Sequence, residues 1–477
     1  MLLLSLLIIV QADQYFKILS PSTLASEEIL KEIQFNIANF GYVPYGQKIS
    51  AELELAQPYN FCELQEERIG NYNNDYANSK ILLVERGECL NFKKAINAQN
   101  YGYVMLIIVD DTNQELNLGA RNDSESNLDI RIPTIMISKN QGNILKNFLL
   151  QINHKNLYVQ VKFPDFYQTD IVKYEYWFSS MDQKSYKFLR QFYSFHMQMN
   201  ESLQFTPHYT LGRCAQCAKT NFNKRDSLCL SGGRYCAPDP DGDGPLDGQD
   251  AVREVVRQLC IYNVDKVKWW KYVIKYSQQC LGSSISIANL CYKYVLEQVQ
   301  IDQQKIENCY KESFSGLNDD LDDNLLLSKE YEKNEELQIR AWPILYINDI
   351  KYRGSLTVSG YKSNFDQGDQ EIYDSSRFGP FQAVCKSFIN SSLPEVCKRR
   401  MVGYLDDDGS WINYTQETNT WIVWLVVLSI MGILMMCTLY LYKRLFIKKT
   451  NEEINQQVNI NLAQYYAMNE QDRNLRN

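Results

Sequence analysis

The chain has 477 residues, 45% hydrophobic and 22% charged, with 13 cysteines, 3 histidines and a net charge of −8. This is globular composition, which excludes a largely disordered protein. Lys and Arg form no large cluster, which argues against nucleic acid as a partner, and His154, His196 and His208 are too few for a His-rich metal site.

Residues 1–12 read as a signal peptide. The run 2–10 (LLLSLLIIV) is uncharged and too short to span a bilayer, and the small Ala12 stands where cleavage is expected. The competing reading, a buried N-terminal strand, is disfavoured because the run starts at Met1 and turns polar at once.

Residues 15–168 hold two cysteines, Cys62 and Cys89. Strands are expected at 81–84, 103–109, 132–137 and 158–163, and helices at 92–100 and 141–150. Pro133 marks the third strand as an edge or a bulge. The result is a mixed α/β domain in which β dominates. The run Val84-Glu85-Arg86-Gly87-Glu88-Cys89-Leu90-Asn91-Phe92, followed by a helix and an apolar strand ending in Asp110, resembles the protease-associated (PA) domain. In that frame Gly87 permits a tight turn and Cys89 tethers the loop, with Cys62 as candidate partner. Phe92 anchors the helix start, and Arg86 stays free to face a ligand. The plainer alternative is a strand-to-helix corner with Arg86 as a surface charge.

Residues 170–397 hold ten cysteines: Cys214, Cys217, Cys229, Cys236, Cys260, Cys280, Cys291, Cys309, Cys385 and Cys397. In an oxidising compartment this is a disulfide framework whose pairing the sequence does not fix, Cys385 and Cys397 being a candidate local pair. Strands are expected at 174–178 and 203–210, with an amphipathic helix at 183–199 between them. A cysteine-rich helical insertion follows, then Ala341-Trp342-Pro343 entering a strand. Proline at that point is similar to the cis-proline of thioredoxin-like folds. The stretch where their redox members carry a dithiol is here Ser179–Ser185, without cysteine, and disulfide exchange needs a thiolate. Cys214-x-x-Cys217 lies elsewhere; a structural disulfide is its favoured reading over redox or zinc chemistry.

The order of Gln204-Phe205-Thr206-Pro207-His208-Tyr209, Gly233-Arg234-Tyr235-Cys236-Ala237-Pro238-Asp239-Pro240, Arg257-Gln258-Leu259-Cys260, Trp269-Trp270 and Tyr352-Arg353-Gly354 resembles the vacuolar sorting receptors best known from plants. The plant members carry EGF-like repeats before the membrane; here residues 398–420 form a cysteine-free stalk. The resemblance implies a non-enzymatic cargo receptor. Its PA loop (Arg86, Gly87, Glu88, Cys89 and Phe92) would bind a sorting peptide on soluble cargo. The alternative is a membrane-bound thiol-disulfide oxidoreductase.

Residues 239–250 (DPDGDGPLDGQD) place Asp239, Asp241, Asp243, Asp247 and Asp250 at calcium-ligand positions of an EF-hand loop. The last position lacks the bidentate Glu, and an Asp/Gly/Pro-rich turn is the favoured reading. No cofactor is required; calcium is the candidate ion.

Residues 421–442 are 22 residues without ionisable charge, about 33 Å as a helix. Lys443, Arg444, Lys448 and Lys449 follow, so residues 443–477 are expected in the cytosol. The sequons at Asn122, Asn200, Asn390 and Asn413 lie on the lumenal side. Twelve cysteines are lumenal and free to pair; the odd one, Cys437, falls in the span. In the tail, Tyr465-Tyr466-Ala467-Met468 is similar to the adaptor signal of the sorting receptors, with Tyr465 and Met468 as anchors read by clathrin adaptors in extended form. The compartments implied are the Golgi, trans-Golgi and endosomal or prevacuolar membranes, in a single-pass type I topology.

Overall fold

The computed structural model describes residues 14–63, 80–113, 129–151, 156–214, 228–242, 246–281, 288–362, 371–413 and 420–474. The chain divides into two units, Met1–Tyr414 and Thr415–Asn477.

The first unit begins with β1 (Tyr15–Ser20), a short helix α1 (Ser22–Ala25), β2 (Phe35–Ile37), β3 (Lys48–Leu55), β4 (Lys80–Glu85), α2 (Asn91–Asn100), β5 (Met105–Val109), β6 (Thr134–Ile137), α3 (Lys139–Leu149) and β7 (Tyr158–Lys162). The seven strands form one sheet in the order β1-β7-β3-β4-β5-β6-β2. The β3–β4, β4–β5 and β5–β6 pairs are parallel and the other pairs antiparallel. A parallel strand covered on both faces must be apolar throughout. Ile81 to Val84 and Met105 to Ile108 fit this, all at 0% exposure. Leu82, Val84, Leu106 and Ile108 pack with Ala95 and Ala98 of α2, while Ile81, Leu83 and Ile107 share the opposite core with Leu145 of α3. Helix α3 lies so close that a Cβ on Gly142 would stand 2.2 Å from Val109 Cγ1.

One expectation is corrected here. The strand after Pro133 is neither an edge nor bulged: β6 lies between β5 and β2. Pro133 sits just outside it, where its missing N–H costs no ladder bond, and its carbonyl accepts from Leu106 N–H at 3.0 Å.

The chain continues into β8 (Val172–Phe178), α4 (Gln183–Met199) and β9 (Leu203–Tyr209). The insertion that follows comprises β10 (Cys229–Leu230), β11 (Tyr235–Cys236) and helices α5 (Gly248–Val264), α6 (Lys266–Gln279), α7 (Ala288–Gln298), α8 (Gln303–Glu312) and α9 (Leu325–Glu336). Strands β12 (Ile344–Ile347) and β13 (Ile350–Lys351) complete a sheet in the order β13-β12-β8-β9, with β8 and β9 parallel and β12 antiparallel to β8. The Trp342–Pro343 bond before β12 is cis. The core is aromatic: the Phe205 ring packs tilted 4.6 Å from Trp270 and 5.3 Å from Trp269, and Phe178 4.6 Å from Tyr209. Disulfides Cys260–Cys309 and Cys280–Cys291 staple α5 to α8 and the end of α6 to α7, and Cys229–Cys236 closes β10 on β11.

A smaller sheet follows: β14 (Tyr361–Lys362), β15 (Glu371–Asp374), helix α10 (Gly379–Lys386), β16 (Val402–Leu405) and β17 (Trp411–Asn413), ordered β14-β15-β16-β17. The Cys385–Cys397 disulfide lies between α10 and β16. The expected stalk is therefore folded over much of its length. Trp411, 9% exposed, donates from Nε1 to the Gln191 carbonyl at 3.2 Å and packs 4.8 Å from Phe195. The mixed α/β class, with a β-rich first domain and a disulfide-rich thioredoxin-like second domain, is borne out.

The first two domains are interlocked by the Tyr352-Arg353-Gly354 segment. Tyr45 Oη accepts from the Arg353 N–H at 2.5 Å and donates to its carbonyl at 3.0 Å. Gly354 N–H donates to the Ala38 carbonyl and Ser355 N–H to the Gly41 carbonyl, each at 2.9 Å. Gly354 has φ +98°, and a Cβ there would meet Gly41 O at 2.9 Å.

In the second unit, α11 (Thr420–Asn474) is continuous for 55 residues. The part of it from Val427 to Tyr465 contains a stretch long and apolar enough to cross a membrane.

Candidate ligand-binding loop

The loop expected to bind ligand leaves the carboxyl end of β4. Arg86 N–H donates to the Val109 carbonyl at 3.0 Å, so the chain is held to β5 up to the turn. Gly87 then takes φ +101° and Glu88 φ +64°, both left-handed. No atom would obstruct a Cβ on Gly87, so conformation rather than space asks for glycine. Cys89 is joined to Cys62, which ties the turn to the segment after β3. Phe92, half-buried, packs against the core beneath α2.

Lys94 fastens the loop from below. It is fully buried on α2, and its ammonium donates to the Asn60 carbonyl and, at 3.5 Å, to Cys62 Sγ. Burial pulls its pKa down to about 8, with Glu88 and Glu85 opposing. Asn97 Nδ2 donates to the Phe61 carbonyl at 3.1 Å. The segment before Cys62 is thus held at both Asn60 and Phe61.

Arg86 is not free, contrary to expectation. Its Nη1 donates to Asp110 Oδ1 at 2.7 Å and to Asp111 Oδ1 at 3.4 Å. The Arg86 side chain is 38% exposed, Asp110 1% and Asp111 62%. Burial works against ionising Asp110, yet hydrogen bonds from Arg86 and Asp111 hold its carboxyl below the usual range. Nη1 is anchored, while the Nε and Nη2 donors are unengaged among the described residues. Sequence reading missed this clamp: Asp110 and Asp111 lie 24 and 25 residues away, and only the pairing of β4 with β5 brings them together. A cleft of about 420 Å³ in this domain is lined by Glu52, Glu54, Phe61, Lys80, Tyr101 and Tyr103 among others, and by none of residues 86–92.

The proposed calcium loop is put to other use. Asp247 caps α5, accepting from Asp250 N–H at 3.1 Å while Asp250 accepts from Asp247 N–H at 3.2 Å, a capping box. Asp239 accepts from the N–H of Asp241 and Gly242, and Asp241 from that of Leu246. Asp243 lies outside the described residues. No cluster of three or more metal-ligating side chains occurs among the described residues.

In the second domain the dithiol position is occupied by hydroxyls. Ser180 is buried and donates to the Ala251 carbonyl at 2.7 Å, and Asp182 caps α4. Cys214 is disulfide-bonded; Cys217 lies outside the described residues. A partly buried ionic cluster that sequence reading also missed joins β8, β9 and α9, with His208 and Glu330 buried and Glu175 and Lys333 reaching the surface. His208 Nδ1 lies 3.1 Å from Glu330 Oε2, and Lys333 Nζ 2.6 Å from Glu175 Oε1.

Of the four sequon asparagines, Asn200 and Asn390 are exposed, Asn413 lies on β17, and Asn122 is outside the described residues. Tyr465 and Met468, 59% and 61% exposed, lie within α11, so the tail motif is helical rather than extended. Cys437, on the same helix, is the free cysteine among the described residues.

The arrangement defines a class: a PA domain docked on a thioredoxin-like domain that lacks the dithiol. Family models agree, the PA domain matching residues 49–145 and the vacuolar sorting receptor thioredoxin-like domain residues 172–361. The chain is similar to Vacuolar-sorting receptor 4 of Arabidopsis thaliana, 27% identical over 404 residues, covering 79% of this chain and 60% of that protein. It is also similar to Vacuolar-sorting receptor 1 of Pisum sativum, 26% identical over 407 residues, covering 79% and 60%. The chain is thus similar to vacuolar sorting receptors over about four fifths of its own length, and it spans about three fifths of the length of these curated relatives. Among solved structures, BdbD of Bacillus subtilis is 12% identical over 40% of this chain and 84% of that one, with a TM-score of 0.26. At that score it has no bearing on activity.

Proposed function

We propose that this chain is a single-pass type I membrane receptor that sorts soluble cargo from the Golgi toward a vacuole or lysosome-like compartment. The observation that carries the reading is the Arg86 loop. It is held by the Cys62–Cys89 disulfide and the buried Lys94, and it offers a guanidinium at the carboxyl end of the parallel strands β4 and β5. A planar donor edge fixed on a stiff loop suits recognition of a peptide acceptor. Kinship with vacuolar sorting receptors supports the same reading.

In this reading residues 1–12 are a removed signal peptide, the lumenal part is glycosylated at Asn122, Asn200, Asn390 and Asn413, and residues 443–477 face the cytosol. The receptor cycles between Golgi, trans-Golgi and endosomal or prevacuolar membranes. Tyr465 and Met468 engage clathrin adaptors after local unwinding of α11, because the two side chains must reach separate pockets on an extended backbone. The receptor carries no catalysis of its own; Ser179 and Ser180 stand where a thioredoxin-like enzyme needs thiolates. A pull-down from lumenal extract with the full chain in detergent, read by mass spectrometry, tests the proposal: a recurrent set of soluble vacuolar proteins supports it, and an empty eluate opposes it.

A further inference from the structure

We propose that Asp110 and Asp111 set the chemical preference of the Arg86 site, making it select a neutral acceptor, a peptide backbone carbonyl, over a carboxylate. This inference rests on the reading of the loop as the cargo site and deepens it.

The argument is electrostatic. A lone guanidinium at a surface prefers a carboxylate, which it meets with two parallel charge-assisted hydrogen bonds. Arg86 is not alone. Two carboxylate oxygens lie 2.7 and 3.4 Å from its Nη1, so the three side chains together carry one net negative charge. The Asp110 carboxylate is 1% exposed, which limits how far solvent screens it, and it stays with Arg86 because burial leaves it no other escape. The nearby ammonium of Lys146 lies 3.9 Å from Glu85 Oε2 and is shared with that carboxylate. An incoming carboxylate would add a second net negative charge against the exposed Asp111. A backbone carbonyl adds none, accepts from Nε or Nη2, and retains the hydrogen-bond geometry. Directional donors are thus kept while the attraction for anions is cancelled, an exclusion built by repulsion.

The test uses the full chain in detergent micelles and a random hexapeptide library as probe, with the bound pool sequenced. The parent should return a pool depleted in Asp and Glu. Asp111→Asn, at an exposed position that leaves the fold alone, should enrich acidic residues roughly three- to fivefold, the range one partly screened charge provides. Asp110→Asn, which keeps an oxygen toward Arg86 and the Asp111 N–H, should shift the pool the same way. Arg86→Ala should abolish selection of either kind. A parent pool already rich in Asp or Glu would overturn the inference, as would an unchanged pool in both Asn variants while Arg86→Ala loses binding. Selection that survives Arg86→Ala would instead defeat the cargo-loop reading, and the inference with it.

Discussion

At the scale of single residues the chain spends charge in buried pairs, and these give a clear pH signature. His208 is 5% exposed. Burial opposes its protonation, but Glu175 and Glu330 raise its pKa above the ordinary 6.5. His208, with Nε2 3.8 Å from Glu175 Oε1, and Lys333, with Nζ at 2.6 Å, together hold Glu175 at about 2 against burial. The His208 contribution is therefore full below the unfolded value and is lost as pH rises through the raised folded value. That of Glu175 is full above 4.5 and is lost as pH falls toward about 2. His208→Gln should destabilise the second domain by roughly 1 to 3 kcal/mol on the acid side of neutrality, with the deficit shrinking in alkali. Melting curves of parent and variant across pH check this; a deficit that grows with pH contradicts it. None of this cluster was legible in the sequence, where His208 is one of three scattered histidines. Arg86 was legible as a motif residue, but its clamp was not, because Asp110 and Asp111 become neighbours only through a parallel strand pair.

At the scale of elements, periodicity served well where burial is uniform. The unbroken apolar runs of β4 and β5 announced strands covered on both faces, and α2, α3 and α4 followed from their spacing. Composition left two readings open where one residue type has two uses, with the Asp/Gly/Pro-rich turn favoured over calcium at 239–250. Aspartate is both a calcium ligand and a helix cap. At 239–250 the capping box of α5 claims Asp247 and Asp250. Asp247→Ala should accordingly cost about 1 kcal/mol of stability, and the parent's melting temperature should not respond to added calcium or chelator. A calcium-dependent shift that Asp247→Ala removes would restore the metal reading. The stalk expected at 398–420 contains strands at Val402–Leu405 and Trp411–Asn413. The segment lacks cysteines, but Trp411 finds a buried partner in the Gln191 carbonyl across 220 residues, a contact no local pattern announces.

At the scale of the whole molecule, the Tyr352-Arg353-Gly354 motif gains a structural meaning: it docks the thioredoxin-like domain onto the PA domain through Tyr45, Ala38 and Gly41. Gly354→Val, which combines a left-handed φ with a Cβ 2.9 Å from a carbonyl, should loosen that docking and expose the region around Tyr45 to limited proteolysis, leaving each domain's disulfides intact. An unchanged digestion pattern would show that the contact is dispensable. If the tail is cytosolic as proposed, Tyr465→Ala should move the protein from internal membranes to the cell surface; an unaltered distribution by microscopy would remove the tail motif from the account. The central claim is that the disulfide-held loop captures cargo through Arg86. The most direct measurement compares the full chain with its Arg86→Ala variant in pull-downs from one lumenal extract, after matched melting curves establish that both fold. The account predicts that the variant loses the soluble proteins retained by the parent. Retention of the same proteins in the same amounts by both would contradict it.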